Sequence, residues 1–233
     1  MSLAIFDLDN TLLEGDSDYL WGRFMATHGL VDPEQHEAAN RQYLADYEAG
    51  TLDIDAYLRF TLEPLTRYTA AELEHWRSRF LEEEIRPIVL PAGEERIRHH
   101  IGSGDTVMII TATNAFITAP IARLLGVEHL LATRPERLQG RYTGRFVGVP
   151  TFREGKVQAL RQWLAEHDET LAGSHFYSDS HNDLPLLEHV TRPVAVDPDP
   201  QLRRIATARN WPIVSFREHW GRSGCAGSAS VPE

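Results

Sequence analysis

Leu3-Ala4-Ile5-Phe6-Asp7-Leu8-Asp9-Asn10-Thr11 is the stretch on which the reading of this chain turns. Four apolar residues run straight into a carboxylate, and Asp9-Asn10-Thr11 then supplies turn chemistry, so the segment reads as a buried central strand opening onto a loop. Two carboxylates two residues apart can sit on the same side of such an extended turn. One can then attack an electrophile while the other handles protons.

Working outward, the character changes from about Asp16 to Arg86. Leu20, Trp21, Phe24 and Met25, and later Leu73, Trp76 and Phe80, recur at helical spacing, with Asp and Ser available as caps. Pro87, Pro91 and Gly93 close this mainly helical stretch. Strand and helix then alternate: a helix over 94–101, a strand at Val107–Ile110, and a helix over 115–125 in which Pro120 is expected to start a second segment. A hairpin follows at 138–149, then an amphipathic helix over 156–167 and strands at His175–Ser178 and Pro193–Val196. A helix over 202–208 and a strand at 213–216 complete the series. This pattern predicts an α/β fold, a Rossmann-like doubly wound parallel sheet covered on both faces, interrupted by an α-helical insertion. The expected division is a core of residues 1–15 and 87–220, a helical cap of residues 16–86, and a disordered tail over 221–233. Trp21, Trp76 and Trp163 are read as core, and His99-His100 as helix surface.

The totals limit the function. With 233 residues and 42% apolar composition the chain can bury a substantial core. A formal charge of -11 argues against non-specific nucleic-acid binding. No apolar run is long enough to span a bilayer and the first residues do not resemble a signal peptide, so the expectation is a cytoplasmic protein without membrane partners. The single cysteine, Cys225, excludes an internal disulfide and a cysteine-based zinc site. Small metabolites are the expected partners, and oligomeric state is left open.

Ligands of open α/β sheets collect outside the carboxyl ends of the strands. Four such points are chemically matched here. Asp7 and Asp9 follow the first strand, and Thr111-Ala112-Thr113 follows Val107–Ile110 with a hydroxyl and backbone N–H groups suited to phosphate oxygens. Lys156, after Gly155, starts a helix where a cation and free N–H groups favour an anion. Asp179-Ser180-His181-Asn182-Asp183 brings further carboxylates to a strand end. Asp7, Asp9, Asp179 and Asp183 beside a phosphate would repel one another, so Lys156 and a metal ion are needed; an all-oxygen set suits Mg2+. The expected reaction is phosphomonoester hydrolysis. Asp7 attacks phosphorus, Asp9 serves as acid and then base, Thr111 and Lys156 hold the phosphoryl group, and Asp179 ligates the metal. Asp183 either ligates it or positions Lys156.

Taken in order, Asp7–Thr11, Thr111, Lys156 and Asp179–Asp183 resemble the four motifs of the haloacid dehalogenase superfamily of phosphatases. The resemblance covers roughly residues 3–216. It implies that Asp9 also offers its backbone carbonyl to magnesium, and that the helical insertion is a substrate-selecting cap like that of the phosphoserine-phosphatase-like branch. Through Thr111–Asn114, Tyr142–Gly144 and Asn210–Pro212 the chain is similar to members of that branch often named histidinol-phosphatases. Two departures stand out. Ser178-Asp179-Ser180 replaces the usual Gly-Asp-Gly, and Thr61-Leu62 falls where phosphoserine phosphatases carry an arginine and a valine, with Arg59 and Arg67 as conceivable substitutes. A substrate with an amine and no carboxylate, histidinol phosphate first, is therefore expected ahead of phosphoserine.

Simpler readings accompany these. Asp16 either meets substrate or caps the first helix of the insertion, Asn182-Asp183 could cap a helix, and His181 is expected as an exposed loop residue. A phosphotransferase or mutase would use the same aspartyl phosphate with another acceptor, and a phosphate-binding receiver-like regulatory domain would use similar residues without turnover.

Overall fold

Strands β1 (Leu3–Phe6), β2 (Thr106–Thr111), β3 (His129–Ala132), β4 (Arg134–Leu138), β5 (Arg141–Val147), β6 (His175–Ser178), β7 (Arg192–Val196) and β8 (Ile213–Val214) form two sheets. The computed structural model describes residues 2–217; the expected tail and Cys225 lie outside the described residues. Six strands make one parallel sheet in the order β3-β2-β1-β6-β7-β8, as the strand–helix alternation predicts, and β4 and β5 form a separate antiparallel pair.

Strand side chains alternate between faces, so the sheet separates two apolar layers. Ala4, Phe6, Val107, Ile109 and Val194 face one layer, while Leu3, Ile5, Met108, Ile110 and Ala195 face the other. The second layer is closed by α7 (Glu154–His167), α8 (Leu184–Leu187) and α9 (Pro200–Ala208), and α5 (Pro91–Gly102) and α6 (Ala115–Leu124) cover the first face. Between β1 and β2 come α1 (Ser17–Thr27), α2 (Pro33–Ala49), α3 (Ile54–Leu62) and α4 (Ala70–Phe80). Each starts at a side chain that accepts the orphan first-turn N–H groups: Asp16, Asp32, Asp53 and Thr69, the last in a capping box with Glu72. Trp21 stacks on Phe24, both meet Phe80 edge-on, and Trp21 meets Phe116 of α6 in the same way. Each is buried and contributes on the order of 2–3 kcal/mol. The insertion thereby shares the apolar layer of the sheet. No helix among the described residues is long and apolar enough to cross a membrane.

Several expectations need correction. β3 escaped the sequence reading, because its half-buried edge residues carry no strong apolar run. The hairpin begins at Arg134 instead of 138 and turns at Gln139-Gly140, both at positive φ, and the last strand is only two residues long. Pro120 does not start a second segment. It lies inside one continuous helix, and the Phe116 carbonyl that it leaves without an intrahelical donor accepts from Arg77 Nη1 at 3.0 Å. His100 is buried, between Asp105 Oδ2 and Tyr177 Oη at 2.9 Å each, whereas His99 is exposed as expected. Trp21 and Trp163 are buried and Trp76 packs partly buried against the core.

Gly155 has a role that its sequence context does not reveal. A Cβ there would lie 1.9 Å from the Pro150 carbonyl oxygen, which belongs to rigid backbone. Gly155→Ala is therefore expected to lower stability by about 3 kcal/mol, at the upper end of overpacking costs, and to displace the adjoining Lys156. Denaturant unfolding checks the first; a loss of only a few tenths of a kcal/mol would show the loop to be free to move.

Candidate active site

Register builds the site. Phe6 lies opposite Ile109 on one side and Tyr177 on the other, so Asp7, Thr111 and Asp179 emerge together from three adjacent strands. The chain leaves β1 for β2 on one side and returns to β6 on the other. The site thus occupies the crevice where strand order reverses.

Lys156 is 1% exposed on the first turn of α7, with Nζ 2.7 Å from Asp7 Oδ1. The same ammonium contacts Asp183 Oδ1 at 2.7 Å and Oδ2 at 2.8 Å, and Ser178 Oγ donates to Asp183 Oδ2 at 2.7 Å. Burial by itself would lower the lysine's pKa, but Asp183 and Asp7 outweigh it and hold the ammonium above its ordinary range. Burial raises the Asp7 carboxyl to about 7 against the pull of Lys156, with Asp183 adding to the rise. Asp179 is pushed well above the carboxylate range by burial and by Asp7 and Asp183. Thr11 Oγ1 donates to its Oδ1 at 3.1 Å, and no cationic side chain among the described residues pairs with it.

Asp9 is gripped on both oxygens. Ser17 N–H donates to Oδ1 at 2.7 Å and Thr113 Oγ1 to Oδ2 at 2.8 Å. Burial and the neighbouring Asp16 raise its pKa to about 7. Thr111 is buried, its hydroxyl accepting from Thr113 N–H at 3.2 Å, and Ala112 and Thr113 face the same cavity. Asp16 is the cap of α1, its Oδ1 accepting from Asp18 and Tyr19 N–H, and it also stands on the cavity wall. His181 is not an exposed loop residue: its ring is mostly covered and its Nδ1 lies 2.8 Å from Asp199 Oδ2.

The cavity over Asp7 and Asp9 measures about 580 Å³ with its mouth. Helices of the insertion roof it, contributing Tyr19, Asn40, Tyr43, Tyr47 and Tyr57, which spacing in the sequence did not single out. Neither Arg59 nor Arg67 lines it; both flank a different surface groove, and Arg67 pairs with Glu63. Thr61 is buried. The roof is fastened across the site by Arg153, whose guanidinium donates to Asn182 Oδ1 at 2.9 and 3.0 Å and to the Gly50 carbonyl at the end of α2 at 2.5 Å. Asn182 in turn donates to the Tyr47 carbonyl at 3.0 Å. A lone Arg or Asn carries no sequence signal for such a role.

A family model described as haloacid dehalogenase-like hydrolase matches residues 4–188. The chain is 44% identical over 220 residues to a histidinol-phosphatase of Neisseria meningitidis serogroup C (strain 8013), spanning 93% of this chain and 99% of that one. A solved structure of a protein with unknown function from Bordetella pertussis Tohama I matches at a TM-score of 0.87 and 46% identity, over 92% of this chain and 98% of that one. A phosphoserine phosphatase solved as a phospho-aspartyl intermediate analogue has the same fold, at a TM-score of 0.68 and 19% identity over 93% of each chain.

The concentration of buried carboxylates has a thermodynamic signature. Asp9 and Asp18 near 7, and Asp16 near 6, bind protons more tightly folded than unfolded. Their folded pKa values lie above the ordinary 3.8, so the folded state carries more protons between about pH 4 and pH 7 and stability falls as pH rises through that window. Calorimetry in a chelator should show Tm declining from pH 4.5 to 7.5, with a shallower decline for Asp18→Asn. A Tm that climbs over this range in the wild type contradicts the assignment.

Proposed function

The chain belongs to the haloacid dehalogenase-like hydrolase family as a phosphatase, and from that premise we propose that it hydrolyses a small phosphate monoester, with Asp7 as nucleophile and histidinol phosphate as the foremost candidate substrate. The observation that carries this reading is the Lys156 ammonium lying against Asp7 Oδ1, with the Asp9 carboxyl held nearby by Thr113 and Ser17.

Lys156 engages one oxygen of Asp7 and leaves Oδ2 as the attacking atom. As that oxygen bonds to phosphorus, the ester P–O bond breaks, and Asp9 protonates the departing alkoxide. With its pKa near 7, Asp9 holds a proton part of the time at neutral pH and can give it up. Thr113 hydroxyl donates to Asp9 when it is ionised and can rotate to accept when it is protonated. Asp9 then takes a proton from water, which attacks the aspartyl phosphate, releases inorganic phosphate and restores Asp7. Lys156 and the Thr111–Thr113 turn orient the phosphoryl oxygens.

The donor set fits a hard divalent cation such as Mg2+. Asp7 is a buried and Asp179 a half-buried carboxyl, both with raised pKa values, and Asp179 lacks a cationic partner among the described residues. Among the described residues no three acidic, His or Cys side chains are arranged to hold an ion unaided, so the Asp9 carbonyl, water and substrate phosphate would complete its shell. When bound, such an ion would neutralise charge on the phosphoryl group and on Asp7. Both oxygens of Asp183 face Lys156, which favours a positioning role over ligation. We assign residues 16–86 as a cap that selects the substrate.

The substrate preference rests on the cavity wall. No Lys, Arg or His is among the described residues lining it, so no cationic side chain there pairs with a substrate carboxylate. Phosphoserine is thereby disfavoured against histidinol phosphate, which carries an amine and no carboxylate.

Turnover of p-nitrophenyl phosphate is expected with Mg2+ and not with chelator, and Asp7→Asn should lower kcat by a thousandfold or more. Wild-type protein inactive on this ester and on histidinol phosphate, with Mg2+ present, would falsify the phosphatase reading. Histidinol phosphate should exceed phosphoserine in kcat/KM; the reverse order would return the choice to phosphoserine.

A further inference from the structure

Ser180 stands where the fourth motif usually carries glycine, and the reaction described above leaves its hydroxyl unused. The side chain is 3% exposed, so its hydrogen bonds are made within the protein. Oγ accepts from Asn182 N–H at 3.2 Å, at the start of the turn that carries Asp183. Its own proton is directed at the phenol oxygen of Tyr47, a residue of α2 in the roof of the cavity. Tyr47 is fixed there from the core. Its carbonyl accepts from Asn182 Nδ2 at 3.0 Å, Gly50 at the end of the same helix accepts from Arg153, and its ring lies 6.0 Å from that of Phe152. The phenol stands in the field of three carboxylates. Desolvation in the cavity, with Asp183, Asp7 and Asp179, pushes it well above the ordinary range, so it keeps its proton. No hydrogen bond among the described residues takes that proton, since the side-chain donors to Asp7, Asp183 and Asp179 are Lys156, Ser178 and Thr11.

From this geometry we infer that Tyr47 is a catalytic residue whose phenol donates to an oxygen of the phosphoryl group seated at Asp7 and Lys156, and that Ser180 positions it by donating to the phenol oxygen. The inference rests on the phosphatase reading for where the phosphate lies. It adds a donor from the insertion to a cradle whose other donors, Lys156 and the Thr111–Thr113 turn, belong to the core. A phosphate dianion offers only acceptors and so matches a phenol whose proton no protein group takes up. Such a bond to an ionised acceptor is about twice as strong as one between neutral groups, and it acts on the oxygens over which charge spreads in the transition state. Ser180 fits its positioning role. With one lone pair given to Asn182 N–H, its remaining proton leaves the phenol a single course, to donate away from Ser180 and toward the cavity. A glycine at position 180 would supply no such partner. Because the contact is made to the phosphoryl group, its contribution is the same whatever alcohol the ester carries.

The test measures kcat/KM for p-nitrophenyl phosphate and for histidinol phosphate, and the calorimetric affinity for inorganic phosphate in the presence of Mg2+, which needs no turnover. Tyr47→Phe keeps the ring against Phe152 and the backbone tie to Asn182. It should lower kcat/KM about tenfold or more, by the same factor on both esters, and weaken phosphate binding with Tm little changed. Ser180→Ala should lower kcat/KM by a smaller factor in the wild type and leave it unaltered in the Tyr47→Phe background. Ser180→Thr retains the hydroxyl and should recover most of the loss. A Ser180→Ala effect of equal size in both backgrounds would come from the turn at Asn182 alone and overturns the positioning role. A Tyr47→Phe loss confined to histidinol phosphate, or no loss on either ester, overturns the phosphoryl contact while leaving the phosphatase reading in place. Phosphate binding that weakens in Tyr47→Phe, in a protein that hydrolyses no ester, supports the contact and removes the phosphatase reading instead.

Discussion

A single ammonium, Lys156, buried between Asp7 and Asp183, is the constraint on which the rest of this molecule depends. Taking an ion out of water costs several kcal/mol, and removing one partner of a buried pair costs about 3–5 kcal/mol because a charge is left uncompensated. The lysine therefore requires both carboxylates, and they require it. The surrounding architecture meets that demand. Gly155 lets the start of α7 approach the Pro150 carbonyl, the β1–β6 register brings Asp7 beside the motif that carries Asp183, and Ser178 fixes Asp183 in place. One cation still does not balance the carboxylates gathered there. Burial, together with that excess, raises the pKa values of Asp7, Asp9 and Asp179 and so favours their protonated forms.

The central strands were legible because burial on both faces demands uninterrupted apolar runs, and Leu3–Phe6 and Val107–Ile110 have them. β3 lies at the sheet edge, where half-buried positions tolerate His129 beside Leu130, and its signal fades accordingly. Pro120 misled for a different reason. A proline breaks a helix when its freed carbonyl has no donor, and Arg77, remote in sequence, supplies one. His100 shows the same limit: two adjacent histidines on a helix point different ways, and which one turns inward is set by Tyr177 and Asp105.

The site divides along the same line. Asp7, Thr111, Lys156 and Asp179 could be found because each sits at an element end, where chain position and chemistry coincide. Asp16 was left between two roles because a sequence treats a carboxylate as one group, whereas its two oxygens can do separate work. The tyrosines of the cavity wall had no such marker. Tyr43 and Tyr47 are one helical turn apart on α2, and Tyr57 comes from α3; only packing of these helices against α1 turns them into a wall. Their polarity is less legible still, since it depends on where each hydroxyl proton goes.

How the insertion is attached bears on how the cavity can be entered. α1 and α4 join the apolar layer of the sheet through aromatic rings packed edge to face, but α2 buries only His36 and Asn40. Among its ties are the bonds from Asn40 to the Tyr19 carbonyl, from Asn182 to the Tyr47 carbonyl, and from Arg153 to the Gly50 carbonyl. A hydrogen bond that exchanges for water on opening contributes only about 1 kcal/mol net, against about 2–3 kcal/mol for each buried ring. The side of the roof that carries Tyr43 and Tyr47 is thus the side held most weakly. Its fastening points, Arg153 and Asn182, belong to the same two segments that carry Lys156 and Asp179. The weakly held side of the roof and the Lys156–Asp7 pair are in this way joined through two short stretches of backbone.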